Sequence, residues 1–349
     1  MKEKKIGPRV IFVSFIFIIC LSRIIWCVLS SFVEFDNNEN RTLSSRPKFS
    51  IENPLDFLGK YNKFLNDSIP FRNNLIEIDA SLNYYLLGVS TNEEVLLGKD
   101  GWLFFDKEED GNPIGCYKGE NLFTEEEMEN MAATCIRMRD EFKKNDTEFV
   151  LLIIPNKERV MSEKMPDEYG SPAEVYAAMQ FVQYMKENTD IRVVYPYEEL
   201  LQAKEMQEVY YKTDTHWNKC GSYVGVKALF DELNISIPSI DDSSVNIAFE
   251  QYFEGDLAKM IGIGRMLGRE DREYSLQFDG KEEILKGGIT VIGDSFSDNM
   301  LEYLYLGFND VRSVRGMAHD HGEVLEKQTD VVVYETVERY LYRLNGFNF

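Results

Sequence analysis

The sequence predicts an α/β protein with a mostly parallel sheet covered by helices on both faces. Three observations carry this. Short apolar runs alternate with helical stretches from about residue 124 onward, the pattern of strands joined by crossover helices. At 349 residues the chain suits one large domain, or one domain with appendages. A composition of 44% apolar and 13% aromatic residues fills a packed core and excludes a disordered chain.

The elements follow in order. Ile51 to Gly88 is helical in pattern and broken near Ile69-Pro70-Phe71-Arg72, where Pro70 removes a backbone donor. Glu94 to Phe105 reads as a hairpin turning at Lys99-Asp100-Gly101, and Asp106 to Gly119 as a loop. Thr124 with Glu127 forms a capping box opening a helix to about Lys144. Glu148 to Ile154 is a buried strand, Ser171 to Asn188 a helix and Ile191 to Tyr195 a strand. Helices are expected over Tyr197 to Met206 and Trp217 to Leu233. Ile235 to Gly287 is less regular and reads as an insertion near a site mouth. Ile289 to Ile292, Asp310 to Val314 and Asp330 to Tyr334 are strands, with helical patterns at Asp298 to Tyr305 and from Glu335.

The N-terminus has a different character. Val10 to Val33 is apolar apart from Arg23, and 24 residues reach across a hydrocarbon layer of ~30 Å. Lys2, Lys4, Lys5 and Arg9 precede it, which predicts a cytoplasmic N-terminus. No Ala-x-Ala site follows, so a signal anchor is preferred to a cleaved leader. The expected organisation is leader and anchor over 1–33, a linker over 34–50, and an extracytoplasmic catalytic domain over 51–349. Beyond the first thirty residues, 33 basic residues face 59 acidic ones, a net charge of −26. Such a domain is a poor partner for nucleic acid or another polyanion. Cys20 and Cys27 fall in the anchor; Cys116, Cys135 and Cys220 are an odd number with no metal or redox spacing.

Two short segments carry chemistry. Gly293-Asp294-Ser295-Phe296-Ser297 follows a strand and precedes a helical pattern, placing Ser295 on a sharp turn beside the N–H groups of a helix start. Thr213-Asp214-Thr215-His216-Trp217-Asn218 lies just before a helix; in extended chain, residues two apart point the same way, so Asp214 and His216 can converge. A serine needs such a base to lose its proton, and the base needs a carboxylate to fix its tautomer. The competing reading makes Asp214 or Thr215 a helix cap. Asn156 and Lys157 follow a strand end and are candidate substrate or oxyanion contacts, against a role in ordering the loop. Trp217 is either a sugar platform or a core residue. His319-Asp320-His321 lacks further ligand spacing, so no metal is expected.

Thr213-Asp214-Thr215-His216-Trp217 with the downstream Gly-Asp-Ser-Phe-Ser resembles the SGNH-hydrolase-like proteins of alginate O-acetylation and the related DHHW family. The likeness continues through Glu39-Asn40-Arg41, Ile69-Pro70-Phe71-Arg72, Gly98 to Phe104, Ile154-Pro155-Asn156-Lys157 and Val337-Glu338-Arg339. Thr215 stands where the DHHW motif has its first His, which matches the alginate-type pattern. The Asp-x-His element precedes the serine, a permuted order relative to ordinary SGNH esterases. The resemblance implies a three-layer α/β/α sandwich with Ser295 as nucleophile, His216 as base and Asp214 as orienting acid. It implies O-acetylation of a cell-surface or secreted polysaccharide, with no tightly bound cofactor and an acetyl donor supplied by a multi-pass membrane O-acyltransferase. N–H groups at Ser295 and Phe296 would hold the oxyanion, and Asp294, adjacent to the nucleophile, is structural. Two alternatives stay open: a carbohydrate acetyl esterase using the same residues, and a non-catalytic surface glycan-binding or assembly protein.

Overall fold

The computed structural model describes residues 8–29, 42, 44–48, 54–67, 72–279, 286–316 and 329–347. The motifs at Glu39-Asn40-Arg41 and His319-Asp320-His321, and Ile69-Pro70-Phe71, lie outside them. The chain divides into two compact units, Met1–Thr91 and Asn92–Phe349.

The first unit holds α1 (Pro8–Leu29), α2 (Pro54–Asp67) and α3 (Arg72–Leu82), the last ending in a π-turn over Asn83–Leu87. Among the described residues α2 ends at Asp67 and α3 begins at Arg72; the break expected at Pro70 lies outside them. Among the described residues no helix is long and apolar enough to cross a membrane. α1 nonetheless exposes Phe12, Val13, Phe15, Phe17 and Ile18.

The second unit opens with β1 (Val95–Leu97) and β2 (Leu103–Phe105), antiparallel in the expected hairpin. The expected loop after it contains α4 (Pro113–Lys118). Asn112 caps α4 by accepting from the Gly115 N–H, Pro113 begins it and left-handed Gly119 ends it; six residues are too few to show a period. α5 (Glu125–Lys143) starts on the Thr124–Glu127 capping box, both halves of which form. β3 (Glu148–Ile154), α6 (Lys157–Val160), α7 (Ala177–Asn188), β4 (Arg192–Val194), α8 (Tyr197–Ala203) and α9 (Lys219–Glu232) follow. α7 begins six residues later than expected, because Ala173 is held in a loop by its N–H to the Tyr117 carbonyl.

The stretch read as irregular is an antiparallel pair, β5 (Val245–Phe253) and β6 (Asp271–Phe278), with α10 (Asp256–Met260) and α11 (Gly264–Leu267) between them. β7 (Lys286–Gly293) leads into a 3-10 turn over Ser295–Asn299, then α12 (Leu301–Leu304) and β8 (Phe308–Arg315). The expected helix from Glu335 is instead the end of β9 (Val331–Val337), followed by 3-10 turns over Glu338–Leu344. Glu335 is buried in the strand, where its Oε2 accepts the Asp294 N–H at 3.0 Å.

Five parallel strands form the central sheet in the order β4-β3-β9-β7-β8. Alternate residues serve its two faces. Val150, Leu152, Ile154, Val291 and Val333 pack with α8, α9 and α12, whereas Phe149, Leu151, Ile153, Val332 and Tyr334 pack with α5 and α7. The layers are therefore α/β/α, and every strand delivers its carboxyl end to one edge.

Candidate active site

Ser295 stands at that edge, immediately beyond β7. Asp294 builds its turn from below. Its Oδ1 accepts the Phe296 N–H at 2.8 Å and its Oδ2 accepts the Val337 N–H at 3.0 Å, tying the turn to β9. A Cβ on Gly293 would collide with the Glu335 carboxylate, so glycine lets β7 and β9 approach here. Asp294 is structural, as expected from its place beside an exposed serine.

Asp214 and His216 reach Ser295 from an extended segment before α9, whose cap is Asn218 rather than Asp214 or Thr215. The Ser295 hydroxyl lies 2.7 Å from His216 Nε2, and His216 Nδ1 lies 2.7 Å from Asp214 Oδ1. With Nδ1 facing a carboxylate, that nitrogen carries the proton and Nε2 is left to accept from the serine. Asp214 Oδ1 also accepts the His216 N–H at 2.9 Å, and Oδ2 accepts the Asp256 N–H at 2.7 Å. Burial would push the Asp214 carboxyl up, but the His216 hydrogen bond and charge, with these two N–H donors, hold it below the usual range. Burial likewise disfavours the imidazolium; the Asp214 hydrogen bond and charge, joined by Asp256, outweigh it and raise His216 above its ordinary value.

Backbone clamps hold the Asp214 segment on two sides. Lys157 is buried, and its ammonium donates to the carbonyls of Leu103 (2.5 Å), Lys212 (3.0 Å) and Asp214 (2.9 Å). It also sits 5.2 Å from the Trp102 ring centroid. Burial drives its pKa down to about 8. From the other side comes the excursion between α9 and β7. Asp271 accepts from the Lys212 N–H, from the Thr213 N–H at 2.8 Å and from the Thr213 hydroxyl at 2.5 Å. Asp256 accepts from the Thr215 N–H at 2.9 Å and the Thr215 hydroxyl at 2.7 Å, and its Oδ2 is 3.8 Å from His216 Nδ1. The excursion docks closely: a Cβ on Gly255 would strike the Thr213 carbonyl.

Of the four candidate contacts, Lys157, Trp217 and Phe296 are committed to partners within the fold, and Asn156 is buried. Lys157 is not a substrate ligand, since its three protons are spent on carbonyls. Trp217 is fully buried, with its indole N–H on the Phe296 carbonyl at 2.8 Å; it braces the nucleophile turn and offers no face to a sugar. Phe296 gives its N–H to Asp294, so that group is not a free oxyanion donor, and its ring packs 4.7 Å from His216. Asn156 is buried; its Oδ1 accepts the Arg339 N–H at 3.2 Å and its N–H reaches Glu338, while its Nδ2 has no partner among the described residues. The Ser295 N–H carries no such internal bond among the described residues and lies at the start of the 3-10 turn, on the surface.

Three neighbours were missed. Asp256 and Asp271 belong to the stretch without clear periodicity, and Arg339, 5.5 Å from the Phe296 ring centroid, was noted only as part of the resemblance. Asp214, His216 and Asp256 can bring ligand atoms within 4.8 Å of one another. Their contacts are hydrogen bonds among themselves and to Thr215, which describes an acid–base network.

Residues 95–311 match the family described as the SGNH hydrolase-like domain of the acetyltransferase AlgX. The "Probable alginate O-acetylase AlgJ" of Pseudomonas syringae pv. tomato is 26% identical over 81% of this chain and 79% of its own length. Its namesake from Pseudomonas putida is 30% identical over 73% of this chain and 72% of its own. Among solved structures, Bacillus cereus PatB1 superposes with a TM-score of 0.52 at 14% identity, covering 73% of this chain and 99% of PatB1, a likeness of fold alone.

Proposed function

The chain belongs to the family of the SGNH hydrolase-like AlgX acetyltransferase domain, and from that premise we propose that it acetylates hydroxyls of a cell-surface or secreted polysaccharide through an acetyl-Ser295 intermediate. It is an acyltransferase, and its relatives are named for O-acetylation of alginate.

The observation that carries the mechanism is the unbroken chain of two 2.7 Å contacts from Ser295 through His216 to Asp214. His216 Nε2 takes the Ser295 proton as Oγ attacks the acetyl carbonyl, and Asp214 steadies the imidazolium. The Ser295 N–H faces the developing oxyanion. The tetrahedral intermediate collapses, the donor oxygen or sulfur leaves with the proton from His216, and acetyl-Ser295 remains. A sugar hydroxyl then gives its proton to His216, attacks the ester and leaves acetylated, restoring Ser295. No bound cofactor enters. The acetyl donor comes from a multi-pass membrane O-acyltransferase, and the apolar α1 anchors the catalytic unit outside the membrane beside it. The chain's net charge of −22 disfavours a polyanionic acceptor such as alginate.

Hydrolysis is the second reading, favoured by one observation: Ser295 is exposed, so water reaches it. Incubation with an activated acetyl ester and intact-mass measurement tests both. An acetyl adduct absent from Ser295→Ala supports covalent catalysis, and no adduct on the wild type defeats it. Acetyl passing to an added oligosaccharide faster than to water separates transfer from hydrolysis.

A further inference from the structure

A cleft lies along the same sheet edge as Ser295, several strands away. It measures about 780 Å³ and sits beyond β4 and beside α7. Tyr176, Tyr195 and Tyr197 form its aromatic part, with Met179 and Val182 of α7 adding apolar wall. The rings pack on one another: Tyr195 and Tyr197 are stacked at 5.9 Å and 18°, and Tyr176 lies 6.4 Å from Tyr197. We infer that this cleft is an outer acceptor subsite, holding an uncharged stretch of the same glycan whose acetylated residue lies at Ser295. The inference rests on the reading that the chain acetylates a glycan.

Position is the first argument. Tyr195 and Tyr197 follow β4, Arg159 follows β3, Glu338 follows β9 and Ser295 follows β7, all at the carboxyl edge. The strand order β4-β3-β9-β7 puts three sheet steps between cleft and nucleophile, about 14 Å at ~4.8 Å per step. An oligosaccharide bridges that span and an acetyl group does not. The two places also share one hydrogen-bond network. Glu338 Oε2 accepts from the Tyr195 hydroxyl at 3.1 Å and the Asn156 N–H at 3.0 Å, while Asn156 Oδ1 accepts from Arg339 beside Phe296.

Chemistry is the second. Tyrosine rings with an apolar wall suit the C–H faces of sugar rings, and a few polar groups at the rim suit their hydroxyls. The buried cation in the cleft's lining, Arg159, is committed to the fold. Its guanidinium lies 3.5 Å from the Tyr176 ring centroid, donates to the Ala173 and Cys116 carbonyls at 3.0 and 2.8 Å, and pairs with Glu338. The exposed rim carries Glu174, Glu187 and Glu198 against Lys186. Carboxylates accept hydroxyl protons and repel uronates, so the cleft selects neutral sugar.

The test uses the full chain in detergent micelles with Ser295→Ala, so that binding is read without turnover. Cellohexaose, chitohexaose, a mannuronate hexamer and the corresponding dimers are titrated and followed by ligand-observed NMR. A neutral hexamer is expected to bind about tenfold tighter than its dimer and than the mannuronate hexamer. Tyr197→Ala removes that length advantage. Gln183→Trp, on the exposed face of α7, fills the cleft without emptying the core and removes it too, with an unchanged Tm. Equal affinity for dimer and hexamer, no binding of either neutral hexamer, tightest binding of the mannuronate hexamer, or an advantage that survives both substitutions overturns the inference. Because this assay needs no acylation, its failure is distinct from a failure of wild-type Ser295 to take an acetyl group.

Discussion

The proposed nucleophile and its proposed acid–base partners are held by two unlike parts of the molecule. Ser295 follows β7, a strand of a five-stranded parallel sheet whose register is fixed over many residues. Asp214 and His216 lie in an extended segment outside that sheet, kept in place by Lys157 on one side and by Asp256 and Asp271 of the excursion on the other. A sheet distributes its positional precision over repeated backbone bonds, so no single side chain decides it. The catalytic segment concentrates its precision in a few buried polar contacts, each of which leaves unpaired groups when removed. Substitutions near Ser295 are therefore expected to act on chemistry, and those in the excursion on geometry and stability.

The largest effect treats the two parts as one machine. Ser295→Ala and His216→Ala each remove acetyl transfer by on the order of 10⁴-fold or more, and the double variant loses little beyond either, as for residues acting together. Thermal unfolding of Ser295→Ala stays within a few degrees of wild type, since Ser295 is exposed. An additive double variant would break the idea of a single relay.

Gly255→Ala comes next and separates the parts. The added Cβ meets the Thr213 carbonyl, so excursion and catalytic segment must move apart. A shift of ~1 Å in an aligned group costs about 100-fold in kcat. Acylation by a small acetyl ester should fall by that order while circular dichroism is unchanged. Unaltered acylation would mean that the excursion does not position His216.

Asp271→Ala is expected to be milder in energy and to appear in stability. It strips the acceptor from the Lys212 and Thr213 N–H groups and from the Thr213 hydroxyl. Buried donors left unpaired cost about 2 kcal/mol or more here. Chemical denaturation of the catalytic unit reads this directly, and a change below ~0.5 kcal/mol would show the clamp to be redundant.

The same division decides what the sequence could reveal. Glu148 to Ile154 is a strand with the bounds its apolar run predicts, and the Thr124–Glu127 capping box opens its helix, because local patterning and local capping suffice for both. Asp214, His216 and Ser295 were legible through their spacing and order, and they converge. Asp256 and Asp271 were not, since an acidic residue in an excursion that exposes most of β5 carries no periodic signal. Their importance comes from which backbone they meet after folding. Lys157 and Trp217 kept two readings in the sequence for the complementary reason: local pattern does not say whether such a residue faces a ligand or the buried partners it meets after folding.

The smallest effect is the most diagnostic, because its sign differs from the others. Asp256→Asn keeps the backbone N–H that holds Asp214 and an oxygen that can accept from Thr215, but removes a negative charge 3.8 Å from His216 Nδ1. His216 serves as base only when neutral, so transfer is lost as pH falls through its pKa. In the wild type, burial opposes the imidazolium, but Asp214 and then Asp256 raise that pKa above 6.5, which places the acid limb of kcat/KM above pH 6.5. Without the Asp256 charge the imidazolium is less favoured, and the limb moves to lower pH. At pH 6 the variant then runs closer to its own plateau than the wild type does to its own, although both plateaus agree within about tenfold. An unmoved limb would mean that Asp256 acts only through its backbone N–H on Asp214. In that case the excursion contributes geometry to the site and no electrostatics.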